Sequence, residues 1–223
     1  MNATPVPRSR SDTKINLILS ALSLFAEHGV DAVSMRTINN AAGTRNASAV
    51  HYHFGNKLGI IEAIIHFITT ELDEYRLDAL STLERRAREG DVPSAREVLW
   101  AAFTPYYRLY HNKPYGRDAV RFLARLQIDW SPEIQSIFNR EPHRIAARID
   151  ALLDTALPKL PADVRRLRYI YFWTLMVHMF CASDRLASTG FGDLRAATEE
   201  ETLSRLFDYL VGGMQGEASA SSL

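Results

Sequence analysis

The chain of 223 residues has very little cysteine: one residue, Cys181, which excludes an internal disulfide and any zinc site built from several thiolates. It also lacks long apolar runs. Nothing approaches the ~18 consecutive apolar residues of a membrane-spanning helix, and residues 1–13 have no apolar core of the kind a secretory signal needs. These absences predict a cytoplasmic protein with no membrane partner. Chemistry-bearing motifs are missing too. No Gly-rich phosphate loop, nucleophile elbow, HExxH pattern or paired-carboxylate constellation stands out, so neither an enzyme nor a cofactor is expected. Cys181 lies in an apolar helical stretch and reads as inert packing. His51 and His53 are two apart, which on a helix places them about 200° apart, so no metal is expected there. Sustained strand alternation is absent as well, and nearly everything reads as helix.

Net charge is a further absence, with 26 basic and 26 acidic residues. The balance hides an asymmetry. Residues 1–60 hold six bases and three acids, and the remainder holds 20 bases and 23 acids. A polyanion meets the charge of a domain rather than of the whole chain. Composition is otherwise ordinary for a globular protein, at 47% hydrophobic and 23% charged.

A Pro/Ser/Arg arm carrying Arg8 and Arg10 precedes a first helix over about 12–28, in which Ile15, Ile18, Leu19, Leu22, Phe25 and Ala26 form one stripe and Gly29 is the stop. Ser34 is a suitable N-cap for a short helix to about Ala41. A glycine-containing turn follows, then a third short helix over about 46–53. Asn56 can cap a long helix starting at Lys57. Prolines then punctuate the chain: Pro93, Pro114, Pro132 and Pro161 open helices to about His111, Ile128, Leu157 and Ala187, with Pro142 interrupting the third. A last helix over about 198–211 is expected to close at Gly212-Gly213.

The two short helices between Ser34 and Lys57 are each too short to stand alone. Their glycine-containing turn gives the pattern of a helix-turn-helix, whose second helix is narrow enough for a DNA major groove. Asn46, Ser48, His51 and Tyr52 can donate or accept hydrogen bonds, while Ala47 and Ala49 permit close approach. The run Ala42-Gly43-Thr44-Arg45-Asn46-Ala47-Ser48-Ala49-Val50-His51-Tyr52-His53-Phe54-Gly55-Asn56-Lys57 resembles the signature of TetR-type transcriptional regulators. The preceding Leu24 to Ile38 is similar to their Phe-xxx-Gly run. The resemblance covers roughly residues 12–65.

The resemblance implies an all-α homodimeric repressor of about nine helices. An N-terminal helix-turn-helix domain (1–56) would bind double-stranded operator DNA, and a C-terminal domain (57–223) would dimerise and bind a small effector. Tyr52 and Lys57 match phosphate-clamping positions. Ser34 and Arg36 match the phosphate-contacting start of the second helix. Ala47, Ser48, Ala49 and His51 match base-facing positions, with Thr44, Arg45 and Asn46 leading into the groove. Gly43 to Lys57 is one residue longer than the commonest pattern, which leaves open which of Arg45, Asn46 and Ala47 enters.

Large rings crowd residues 100–138. Trp100, Phe103, Tyr107 and Tyr110 share a face and, with Phe122 and Phe138, could wall an apolar pocket. Ordinary core is the competing reading for each ring. Arg121 and Arg125 are a solvated face or, turned inward, readers of an acidic head group on a hydrophobic effector. The stretch 169–180 is apolar all round and must be covered on every side. Phe172, Trp173, Met176, Val177 and Phe180, with Leu203, Leu206, Phe207 and Leu210 of the last helix, are the expected dimer face. A helical scaffold or a lipid- or aromatic-binding protein without a regulatory switch is the alternative function.

Overall fold

The computed structural model describes residues 10–44, 48–128, 131–140, 144–182, 186–195 and 198–217; the side chains of Arg10, Ser11, Phe138, Asn139, Arg140 and Ala182 fall outside that description. Ten helices are present among these residues: α1 (Arg10–His28), α2 (Met35–Ala41), α3 (Ala49–Phe54), α4 (Lys57–Arg88), α5 (Ala95–Asn112), α6 (Gly116–Ile128), α7 (Pro132–Arg140), α8 (Arg144–Ala156), α9 (Ala162–Ala182) and α10 (Glu199–Gln215). The all-α expectation holds. The count exceeds nine because α7 and α8 are separate helices, where one helix interrupted at Pro142 was expected; Pro142 itself lies outside the described residues. The α9–α10 loop carries a small turn, with Thr189 and Gly192 exchanging backbone hydrogen bonds.

Side-chain caps set several starts. The Ser34 hydroxyl accepts from the Thr37 amide at 3.1 Å, and the Asn56 side chain accepts from the Gly59 amide at 2.9 Å. Ser94 and Glu97 form a capping box on α5. The end of α10 differs from expectation: the helix runs through Gly212-Gly213 to Gln215. Each glycine costs a helix interior about 1 kcal/mol. Two contacts offset that cost. Met214 is buried in the core, and the Arg168 guanidinium of α9 donates to the Met214 and Glu217 carbonyls at 3.1 Å each. The Met214 carbonyl lies in the last turn of α10, where no intrahelical donor reaches it, and the Glu217 carbonyl lies just beyond the cap.

α1 packs on α2, α4 and α6, so it joins the N-terminal helices to the rest. Phe25 of α1 stacks on Phe122 of α6 with ring centroids 6.1 Å apart, both rings fully buried. The Arg125 guanidinium of α6 donates to the Glu27 carbonyl at 2.8 Å, beside Gly29, whose φ of 84° ends α1. α4 continues from the N-terminal helices along α5 and α8. Arg148 of α8 grips Glu84 of α4 with two bonds of 2.6 and 2.9 Å. Arg165, 4% exposed, ties α9 to Asp150 of α8 at 2.9 Å. Burial pushes the Asp150 carboxyl up, but Arg166 and Arg165 outweigh it and hold the group below its ordinary value.

Glu97 couples the capping box to the α4–α5 corner. Arg86 donates to it at 2.7 Å and the Ser94 amide at 2.8 Å, and these bonds hold its carboxyl down to about 2. A depressed carboxyl stabilises the fold above its unfolded value of about 4.3 and loses that contribution as pH falls toward the folded value. Glu97 is partly exposed, so solvent screens the effect. Glu97→Gln is expected to lower stability at neutral pH and to flatten the loss of stability below about pH 4.3. Urea midpoints measured from neutral pH down to about pH 2.5 check this; parallel curves for the two proteins would show that Glu97 contributes nothing to the acid response.

Candidate nucleic-acid interface

α3 has six residues, too few to hold itself. Ser48 occupies its N-cap position but makes no capping bond with its side chain. The cap comes from Asn39 of α2, a buried polar residue 2% exposed. Its side-chain oxygen accepts from the Val50 amide at 3.1 Å. The Thr44 hydroxyl, in the turn, lies 3.1 Å from the Asn39 carbonyl and 3.3 Å from its side-chain oxygen. Thus α2, the turn and α3 close around one amide. Gly59 permits the next element to approach, since a Cβ there would overlap the Phe54 carbonyl at the end of α3.

This fixes which side of α3 faces out. Ala49 and Val50 are buried and His53 and Phe54 half-buried, whereas Ser48, His51 and Tyr52 are exposed. The two sets have the three- and four-residue spacing of opposite helix faces. Ala49 is therefore a correction: at 5% exposure it belongs to the core beside Val50, not to a base-facing surface. Thr44 points into the turn, and its hydroxyl serves Asn39. Arg45, Asn46 and Ala47 lie outside the described residues. His51 holds the Gly55 carbonyl through Nδ1 at 2.9 Å, which leaves Nε2 directed elsewhere. Tyr52, 67% exposed, stands edge-on to His53 at 5.1 Å. Lys57 donates to the Val30 carbonyl at 2.9 Å and keeps two further ammonium protons. Ser34 and Arg36 are exposed at the start of α2. The outward surface is thus a hydroxyl, an imidazole and a phenol, with Arg36 and Lys57 as cations on neighbouring elements.

Residues 17–64 match the bacterial regulatory proteins, tetR family, and residues 100–213 match the tetracyclin repressor-like C-terminal domain. The chain belongs to the TetR family of transcriptional regulators. A curated relative, the HTH-type transcriptional repressor KstR2 of Rhodococcus jostii (strain RHA1), is 32% identical over 105 residues. That match spans 44% of this chain and about half, 51%, of the relative. Two solved structures share the fold. A TetR family transcription regulator from Marinobacter aquaeolei VT8 has a TM-score of 0.57 and 17% identity, covering 91% of this chain and 95% of that one. The fatty acid degradation regulator FadR from Bacillus halodurans has a TM-score of 0.59 and 13% identity, covering 96% and 100%. No helix among the described residues of this regulator is long and apolar enough to cross a membrane.

In the C-terminal part the rings gather into one cluster across α5, α9 and α10. Phe103 stacks on Phe180 at 5.2 Å, Tyr110 lies 5.0 Å from Phe180, and Trp100 stands edge-on to Phe207 at 5.1 Å. Tyr107 is 6.3 Å from Phe180, and Phe172 is 5.7 Å from Phe207. Residues expected in a pocket wall and residues expected at a dimer face therefore meet inside one subunit. Phe172, Met176, Val177, Phe180, Leu203, Phe207 and Leu210 are buried within the single chain, which corrects their placement on an outer face; Trp173 and Leu206 are half-buried. The outward side of α9 instead carries Leu167, Ile170, Tyr171 and Leu175, all 44–56% exposed, and α10 presents Tyr209. Periodicity could not choose between these faces because α9 is apolar on both.

Two other pocket expectations are also corrected. Phe122 is spent on Phe25, and Arg125 on the end of α1. Arg121 is exposed, and the Phe138 side chain lies outside the described residues. A cleft of about 400 Å³ lies between α4 and α5, lined by Tyr75, Trp100, Pro105 and Arg108 among others. Trp100 is the one expected pocket residue that reaches it among the described residues. On α6 the Gln127 side chain is a group the sequence did not single out: both amide atoms are buried and neither has a hydrogen-bond partner.

Asn39 is the other residue missed. Its signal was a lone polar side chain beside Ile38 on the inward face of a short amphipathic helix. Asn39→Ala would leave the Val50 amide buried without an acceptor and is expected to destabilise the protein by about 1–3 kcal/mol. Urea denaturation checks this. A loss below about 0.5 kcal/mol, smaller than a typical net hydrogen bond, would mean that α3 is held by packing alone.

Proposed function

We propose that the regulator binds a pseudo-palindromic operator as a homodimer, places α3 in the major groove and represses transcription until a small, largely hydrophobic effector releases it. The outward face of α3 carries this reading: Ser48, His51 and Tyr52 project hydrogen-bonding groups while the opposite face is locked into the core. Ser48 and His51 are assigned to base edges. Tyr52, Lys57, Ser34 and Arg36 are assigned to phosphates. Arg45, Asn46 and Ala47 enter or flank the groove at the turn. The effector is assigned to the aromatic region of α5, α9 and α10.

Selection of bound duplexes from a randomised pool, followed by footprinting, tests DNA binding. Phosphate contacts carry little base information, so Tyr52→Phe and Lys57→Ala are expected to weaken matched and mismatched sites alike. Ser48→Ala and His51→Ala should change base preference at one position per half-site, at about 1–3 kcal/mol. Identical selected sequences for wild type and both variants would remove Ser48 and His51 from base reading.

The dimer is assigned to the outer faces of α9 and α10. Leu167, Ile170, Tyr171 and Leu175 form an apolar stripe, and exposed stripes of this kind mark association surfaces. Ile170→Glu and Leu175→Glu are both exposed substitutions, so the fold should survive them. Sedimentation is expected to give a folded monomer with markedly weaker operator binding. A dimer that persists in the double variant would place the interface elsewhere.

A further inference from the structure

A second cleft, of about 410 Å³, lies where the N-terminal helices meet α6 and α7. It is apart from the aromatic cluster. Val30, Ile61 and Ile134 form its buried apolar wall, and Leu58 and Ile128 extend that wall to the surface, 38% and 73% exposed. Lys57 lines the same cleft. Lys57 is half-buried, its ammonium gives one proton to the Val30 carbonyl, and no carboxylate lies within ion-pair distance of it among the described residues. A partly desolvated cation with protons to spare, set in an apolar wall, favours an anion on an apolar tail. Asp31 also lines the cleft, and Ser131 at its α7 side is occupied by capping the Ile134 amide. Among the described lining residues Lys57 is the one cation and Asp31 the one carboxylate, with Glu133 held beside the rim by Ser131; a single cation among acids suits a head group of single charge.

We propose that this cleft binds an amphipathic monoanion, an apolar chain ending in a carboxylate, and that its head group competes with DNA phosphate for Lys57. The site is distinct from the effector region assigned above; it draws on that reading only in taking Lys57 as a phosphate contact. Its consequence is direct. The ligand acts on a DNA-contacting residue without a conformational relay, and by linkage DNA and ligand weaken each other by the same factor.

The test uses octanoate and its neutral analogue octan-1-ol on the full chain, read two ways. Calorimetry without DNA measures binding to the cleft. Fluorescence anisotropy of a random-sequence duplex at low salt measures competition, because phosphate contacts do not depend on sequence. Saturating octanoate is expected to weaken duplex binding about tenfold, within the usual range of coupling between sites, and octan-1-ol less than about twofold. Ile128→Ser should weaken octanoate about fivefold by removing an exposed wall residue, with duplex affinity unchanged. Asp31→Asn should tighten octanoate. The inference is overturned if octanoate binds without affecting the duplex, if Asp31→Asn weakens it, or if its effect survives Ile128→Ser but is lost in Tyr107→Leu, which would assign the acid to the aromatic cluster. If the wild type binds no duplex, the DNA reading fails instead, and calorimetry of the wild type, Ile128→Ser and Asp31→Asn still decides the cleft.

Discussion

The surface that α3 offers depends on one hydrogen bond, from the Val50 amide to the Asn39 side chain. A six-residue helix fixes too few hydrogen bonds to repay the ordering of its backbone. Its position must therefore be imposed from outside. Asn39 does this from the middle of α2, and Thr44 closes the turn over the same residue. With that contact in place, the rotation of α3 about its axis is set, and Ser48, His51 and Tyr52 can face outward together. Every outward group depends on a residue that is itself invisible from outside.

Long-range capping recurs at other helix ends. Arg125 of α6 satisfies a carbonyl at the end of α1, and Arg168 of α9 satisfies those at the end of α10. Local sequence signalled the caps whose partners lie three residues away, such as Ser34 with Thr37 and Asn56 with Gly59. It could not signal those reaching across the fold. This is why the start of α4 was legible and the end of α10 was not: two glycines look like a stop until a guanidinium from another helix holds the next turn.

The C-terminal helices show the same limit in packing. The 3-4-3 spacing of Trp100, Phe103, Tyr107 and Tyr110 located a shared face correctly, because spacing reports direction around one helix. What that face meets is a property of the whole fold. It meets Phe180 and Phe207, which the sequence offered as an outer face. α9 is apolar around its circumference, so its inward and outward sides differ in partners rather than in composition. The placement of Arg125 was lost for a related reason. A basic helix face reads alike whether it meets solvent, a ligand or the carbonyl of a helix 98 residues away.

α4 is one uninterrupted helix of 32 residues. Its far end is clamped through Glu84 by the two bonds from Arg148, and its near end carries Lys57. At 1.5 Å per residue those two points are about 40 Å apart. The helix is thus a long arm between the two points. A tilt of about 5° at the clamp would sweep Lys57 through about 3.5 Å, more than a hydrogen-bond length. By the same geometry, a change too small to disturb the packing around α8 would be magnified at the surface beside α3, and the stiffness of the Arg148–Glu84 joint would limit it.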